Sequence, residues 1–347
     1  MKEIIFLAPY PDDENIKDGM VQRIKHVDDL FNSYNRFYLD LSFRRNFKTY
    51  INKPSHNVTH YKLNVFMHFI KIWKLIMNSE KIYIHSIYRF FTVIFPIFFY
   101  KKNICLDVHG VVPEENMMTK GYFFFKLYSI VEYFAFKIIT HVVFVTKAME
   151  THYSQKYDLQ KIKSVIFNIY PNIGHNLEIN PEIYNSKTVV IYSGNAQKWQ
   201  NVEDMLELIQ RNYNDNFEYY ILTGQPDFFK QLLKKYKLNK DNIIVKTVSP
   251  EELSFYYSKA HYGIILRDDI LVNKVANPTK MIEYLMFGII PIVRLKEIGD
   301  FYSMGYDFVE ESSFNKYLKP LKSLKNIQIA QKICLENKAV DIKEFFN

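Results

Sequence analysis

Cysteine is nearly absent: Cys105 and Cys334 are the whole complement of a 347-residue chain. One falls in an apolar, strand-like run and the other in a helix-like tail, which excludes a disulfide framework as the stabilising device. Glycine is scarce too, at 10 residues, and none forms the G-x-G-x-x-G turn that a nicotinamide dehydrogenase places after a strand. The chain has no Asp-x-Asp pair, no helical histidine pair and no cysteine cluster, the patterns that hold a metal ion. No Gly-x-Ser-x-Gly elbow marks a hydrolase nucleophile. The residues therefore imply neither a metal nor any other cofactor.

Long hydrophobic runs are also missing. The most membrane-like stretch, 90–100, is interrupted by Pro96 and flanked by Arg89, Lys101 and Lys102, and a span needs roughly 20 apolar residues. The first apolar run, 4–8, is too short for a secretory h-region. A cytoplasmic protein is expected.

What is present describes a globular chain. At 48% hydrophobic and 24% charged residues, it has the apolar surface that offsets ordering entropy, and its length suits two cores better than one. The net charge of +8 lies in the first half. Lys and Arg outnumber Asp and Glu 23 to 15 in residues 1–172, while the remainder has 22 of each. A basic lobe attracts anionic partners such as phospholipid headgroups, lipid phosphates or nucleic acid, and equally describes a solvated surface.

Periodicity divides the second half into alternating runs. Strands are expected at 188–193, 217–222, 242–248, 262–266 and 289–293, with helices at 201–211, 227–236, 250–259 and 278–287. Such alternation demands parallel strands joined by crossover helices. Ser249-Pro250-Glu251-Glu252 reads as a capping box, and Gly288 as a left-handed helix cap. The first half alternates likewise, with strands at 4–8, 37–41, 82–86, 104–109 and 141–145 and helices at 20–31, 63–77, 90–101 and 122–137. Periodicity stops around 170–174, where the linker is placed. The expected fold is α/β, two doubly wound Rossmann-like domains facing across a cleft, 1–172 and 173–326, with a terminal helix, 327–347, packing across the lobes.

In open parallel sheets, ligands bind beyond the carboxyl ends of the strands. Pro278 stands where a helix start tolerates a missing N–H, and the free amides there suit a phosphate oxygen. Glu283, one helical turn beyond Thr279, can accept hydrogen bonds from a ribose diol. Gly194 ends a strand where the lack of a Cβ lets backbone approach a ligand, and Lys198 and Arg267 follow strand ends at the same expected mouth. The spacing alone equally describes an ordinary capped helix with a solvated Glu283, and surface roles for both cations.

Three segments carry a resemblance: YSGNAQKW from Tyr192, YGIILR from Tyr262 and NPTKMIEYLMFGIIPIV from Asn277. Together they resemble the donor lobe of retaining glycosyltransferases of the GT-B fold, close to glycosyltransferase family 4. The resemblance implies that Pro278, Thr279 and Lys280 hold the donor nucleotide and that Glu283 takes its ribose. In the first half, Gly19 resembles the family's glycine turn near the donor phosphates, without the usual second glycine. Asp107-Val108-His109-Gly110 resembles its histidine-bearing strand end, where His109 would face the transferred sugar; His85 is a lesser candidate, and a strand-end histidine can equally be structural. The Tyr170-Pro171-Asn172 run resembles the family's linker, and 145–149 its Val-Ser-x-x-Met junction.

The departures are specific. Val275 stands where the family has a second acid, leaving Asp268 or Asp269 as substitutes, and Asn195 stands where many members have an arginine, leaving Lys198 and Arg267 as the phosphate cations. The activity implied is hexosyl transfer from a nucleotide-sugar, UDP-sugar favoured, to a glycan or lipid-linked acceptor in bacterial surface polysaccharide synthesis. The partners implied are donor, acceptor and the inner membrane surface, met peripherally through the basic domain, and no nucleic acid. A nucleotide-sugar epimerase of the same fold and a non-catalytic glycosyltransferase-like subunit are the alternatives.

Overall fold

The computed structural model describes residues 2–12, 14–16, 19–169 and 187–346. It divides into two compact units, Met1–Asn168 with Lys338–Asn347, and Ile169–Asn337. The linker expected at 170–174 lies outside the described residues.

Unit 1 is built on β1 (Glu3–Leu7), β2 (Asn35–Ser42), β3 (Tyr50–Ser55), β4 (Val58–Asn64), β5 (Lys81–His85), β6 (Asn103–Val108), β7 (His141–Phe144) and β8 (Lys163–Ile166). Their order across the sheet is β3-β4-β2-β1-β5-β6-β7-β8. Every pairing is parallel except the β3–β4 hairpin at the edge. The connecting helices are α1 (Gly19–Leu30), α2 (Phe69–Asn78), α3 (Ile87–Phe91), α4 (Ile94–Phe99), α5 (Val112–Thr119), α6 (Tyr122–Ile138) and α7 (Lys147–Lys156). The central strands are apolar except at their ends, where Glu3, Lys81, His85 and His141 stand, as befits buried parallel strands covered by helices.

Two expectations need correction here. The helix expected at 90–101 is two short ones, α3 and α4. Pro96 cannot donate to the carbonyl of Thr92 and its ring crowds that oxygen, so the helix restarts with the proline inside its first turn. The helix expected at 63–77 begins only at Phe69, because Val58–Asn64 pairs with β2 as a strand and Asn64 Oδ1 then turns the chain by accepting from the amides of Phe66 and Met67.

Unit 2 contains β9 (Thr188–Ser193), β10 (Phe217–Leu222), β11 (Ile243–Lys246), β12 (Tyr262–Ile265), β13 (Ile290–Val293) and β14 (Val309–Glu310), all parallel in the order β11-β10-β9-β12-β13-β14. Its helices are α8 (Val202–Arg211), α9 (Pro226–Lys235), α10 (Pro250–Lys259), α11 (Leu271–Lys274), α12 (Thr279–Met286) and α13 (Leu324–Ala339). Successive strand residues point to opposite faces. Val189 and Ile191 enter one apolar cluster with α10, α12 and α13, and Val190 and Tyr192 enter another with α8 and α9. The sheet is thus doubly wound. Ser249 and Glu252 form the expected capping box, and Gly288 has φ +65 just after α12.

The tail forms two helices. α13 packs Ile329, Ala330 and Ile333 into unit 2, whereas α14 (Ile342–Phe345) belongs to unit 1, where Ile342 and Phe346 are fully buried beside Phe6, Phe31 and Tyr83. Lys81 Nζ donates to the Phe346 carbonyl at 2.8 Å. Cys105 and Cys334 are both free and buried.

Candidate functional site

In unit 2 the carboxyl ends of β9 and β12 and the start of α12 converge. Glu283, on α12, is only 5% exposed. Its Oε2 accepts from the Tyr257 hydroxyl at 2.6 Å and from Lys280 Nζ at 2.8 Å. Tyr257 also lies 2.6 Å from Ser193 Oγ. A phenol has one proton, and burial together with Glu283 pushes the Tyr257 pKa well up, so Tyr257 donates to the carboxylate and Ser193 donates to Tyr257. A chain of side-chain hydrogen bonds thus runs from the end of β9 to Glu283, whose Oε1 has no partner among the described residues.

A second tyrosine anchors the same strand end: the Ser193 amide donates to Tyr284 Oη at 3.1 Å. The Tyr284 ring lies against Gly263, where an added Cβ would come within 2.4 Å of it. At the start of α12, Pro278 is the N-cap with no side-chain cap, one position earlier than the first helical place expected for it. The amides of Thr279 and Lys280 are therefore unclaimed by the helix, where its dipole favours an anion.

Arg267 follows β12 and is largely desolvated, which lowers its pKa to about 10. Its Nη1 reaches Asn273 Oδ1 at 3.3 Å, Nε is buried without a partner, and no carboxylate pairs with it among the described residues. Such a cation is short of an anion. Gly194 follows β9, its amide donating to the Leu222 carbonyl at 2.9 Å. Lys198 is exposed in a short 3-10 turn after β9, and its ammonium makes no hydrogen bond or ion pair among the described residues. The structure joins Glu283 to Lys280 directly and leaves Lys198 outside that network.

Neither candidate for the missing acid is free. Asp268 Oδ1 accepts from Asn201 Nδ2 at 2.8 Å and pairs with Arg294 at 3.0 Å, and Asp269 is exposed and pairs with Lys274. Val275 is buried.

Unit 1 gathers a second cluster at the ends of β5 and β6. Asp107 is fully buried and bidentate with Arg23 of α1, Nε to Oδ2 at 3.1 Å and Nη2 to Oδ1 at 3.0 Å. Burial would raise the Asp107 pKa, but Arg23, then His109 and His85, outweigh it and hold it well below the usual carboxylate range. His85 Nδ1 lies 3.3 Å and His109 Nδ1 3.9 Å from its oxygens. Burial lowers the His85 pKa. These ligand-type atoms of His85, Asp107 and His109 lie within 4.8 Å of one another, but Arg23 already supplies the cation. His109 keeps some exposure, and Glu115, from the first turn of α5, reaches the α-carbon face of Gly110 beside it. Gly19 is the first residue of α1.

Sequence reasoning missed Tyr257, Ser193, Gly263, Arg23 and Glu115. Only Ser193 and Gly263 lay inside the quoted motifs.

This pair of doubly wound Rossmann-like sheets, each with its candidate side chains at strand carboxyl ends, is that of the GT-B fold class. No protein-family model matches the chain, and no curated protein matches it. Among solved structures it is similar to sucrose-phosphate synthase from Thermosynechococcus elongatus, with a TM-score of 0.62 at 11% identity over 100% of this chain and 94% of that one. It is similar also to Anabaena HepE in complex with UDP-glucose, with a TM-score of 0.59 at 11% identity over 100% and 93%. An E. coli trehalose-6-phosphate structure bound with UDP-2-fluoro glucose gives a TM-score of 0.63 at 8% identity over 100% and 99%. At these identities the likeness is one of fold.

Proposed function

We propose that the chain is a glycosyltransferase of hexosyltransferase type, moving a sugar from a nucleotide-sugar to a glycan or lipid-linked acceptor. UDP-sugar is the favoured donor, and the setting is bacterial surface polysaccharide synthesis at the inner face of a membrane met through unit 1. The observation that carries this reading is Glu283: one oxygen clamped by Tyr257 and Lys280, the other uncommitted, on a helix whose first amides are unclaimed. A carboxylate held that way accepts from a ribose diol without first having to be ordered. The sugar-nucleotides held by HepE and by the E. coli neighbour support UDP as the donor nucleotide.

In this reading unit 2 binds the donor. The α12 amides, Arg267 and Lys198 take the diphosphate, Pro278, Thr279 and Lys280 shape the helix start, and Gly194 gives backbone access. As the glycosidic bond breaks, negative charge grows on the leaving diphosphate, and a desolvated arginine stabilises that charge more than it stabilises the intact donor. Gly19 and His109 of unit 1 take the roles implied by the family 4 resemblance, which also carries the expectation of retention. No metal is invoked. The commitment of Asp268 to Arg294 and the burial of Val275 favour a second reading, a nucleotide-binding subunit without turnover.

Calorimetry with UDP and a turnover assay with UDP-sugars test both. Glu283→Ala loses a charge-assisted hydrogen bond worth roughly 1.5–3 kcal/mol and should weaken UDP binding by about one to two decades. Arg267→Ala and Lys198→Ala should lose turnover more than UDP affinity, beside Lys235→Ala, an exposed lysine paired with Glu203, as control. Unchanged affinity in Glu283→Ala removes the ribose assignment. UDP binding without turnover by the unmodified chain selects the second reading.

A further inference from the structure

Unit 1 exposes apolar side chains on three helices that pack side by side, α4 lying against both α2 and α6. Phe66, just before α2, is 72% exposed, Ile70 on α2 70% and Phe123 on α6 72%. Phe95, Phe98 and Phe99 of α4 are each more than half exposed. Ring contacts join the α2 and α4 parts of this surface, with Phe69 5.7 Å from Phe95 and Trp73 5.3 Å from Phe99. Scattered apolar residues on a surface need no explanation, but a contiguous set of this kind marks an interaction site.

The charge on these helices identifies the partner. α2 carries Lys71 and Lys74 and no acid, α4 carries no charge, and α6 carries Lys126 and Lys137. The one acid among them, Glu132, is fully buried and ion-paired with Lys156. The exposed charge of the three helices is therefore entirely positive and set among exposed rings: Lys126 lies 5.3 Å from the centroid of Tyr122 and Lys137 5.5 Å from that of Tyr133. A cavity of about 800 Å³ between α2 and the strand residues Glu3, Ile5 and Phe37 has Phe66, Leu75, Lys71 and Lys74 in its walls, so that its one acid lies on the strand side.

Among the described residues no helix is long and apolar enough to cross a membrane. Rings that enter the acyl boundary, with ammonium groups that stay among headgroups, are instead the chemistry of a surface that lies on a bilayer. We infer that α2, α4 and α6 form a docking face for an anionic phospholipid bilayer, with the rings inserted and Lys71, Lys74, Lys126 and Lys137 at the phosphates. This inference rests on the membrane part of the proposed function and narrows it to one face.

The test is flotation of the full chain with vesicles of phosphatidylcholine alone or mixed with phosphatidylglycerol. Strong binding to the mixed vesicles, weak binding to the neutral ones and release by salt are expected. Lys71→Ala and Lys126→Ala should each lower partition to anionic vesicles about fivefold, equivalent to about 1 kcal/mol per cation at the surface. Phe98→Ser with Phe123→Ser should lower binding to both compositions while the melting temperature holds. Absence of binding, equal binding to both compositions, or lysine variants that bind like the parent overturns the face. So does a dimer, seen by light scattering, that the two serine substitutions dissociate, since a second copy would then cover these rings. UDP titration of the same sample reports the donor site separately: loss of UDP binding overturns the donor reading, and loss of flotation overturns this one.

Discussion

Lys322 sets its ammonium on two carbonyl oxygens, Phe287 O at 2.9 Å and Tyr257 O at 3.1 Å, with no carboxylate paired to it among the described residues. Burial lowers its pKa from 10.5 to about 8. Between those two values the unfolded chain binds more protons at this group than the folded chain does, so its contribution to stability rises with pH across that window. Buried tyrosines such as Tyr257 and Tyr284, whose pKa values are raised, pull the other way at the alkaline end. The informative quantity is therefore the difference between the parent and Lys322→Met in urea midpoint, followed from pH 8 upward: the rise in the parent relative to the variant is the expected result. At this scale Glu283 and Lys280 were legible, because they share one helix and one motif. Tyr257 stands 26 positions from Glu283, and Arg23 stands 84 positions from Asp107. No local pattern announces a partner that only the sheet brings near.

Between elements, the tightest fit in unit 2 is α12 on β12. Gly263 has no Cβ, and that vacancy holds the Tyr284 ring, whose hydroxyl takes the Ser193 amide. Gly263→Ala would drive a methyl carbon into the ring at 2.4 Å. Neither a buried strand nor a packed ring yields easily, so about 1–3 kcal/mol of destabilisation is expected, read as a lower melting temperature together with weaker UDP binding as Tyr284 shifts. The elements around the site were largely legible, because buried parallel strands announce themselves as β-branched runs and the capping box and Gly288 mark helix ends. The β3–β4 hairpin was not. All six β3 residues are exposed and include Pro54, so the strand has no apolar alternation and belongs at an edge, where a missing N–H is tolerated.

For the whole molecule, the last residues matter more than their number suggests. Ile342 and Phe346 are fully buried in unit 1, with the Phe346 ring 5.3 Å from His141 and 6.3 Å from Tyr83. Phe346→Ala should cost about 3–5 kcal/mol, as a cavity in a packed core does. Denaturation should show that loss in the transition of unit 1 and leave that of unit 2 in place, since the two units have separate cores. Helical periodicity was legible in the tail, but no address came with it: three apolar residues, Ile342, Phe345 and Phe346, are too few to say which core claims them. Residues 338–347 belong to unit 1 while 169–337 form unit 2 without interruption, so the sequence of unit 1 is split, with the whole of unit 2 lying between its parts. On the ribosome Phe346 therefore emerges only after the whole of 169–337, and the place it fills beside Tyr83 and His141 is the last part of that core to be made.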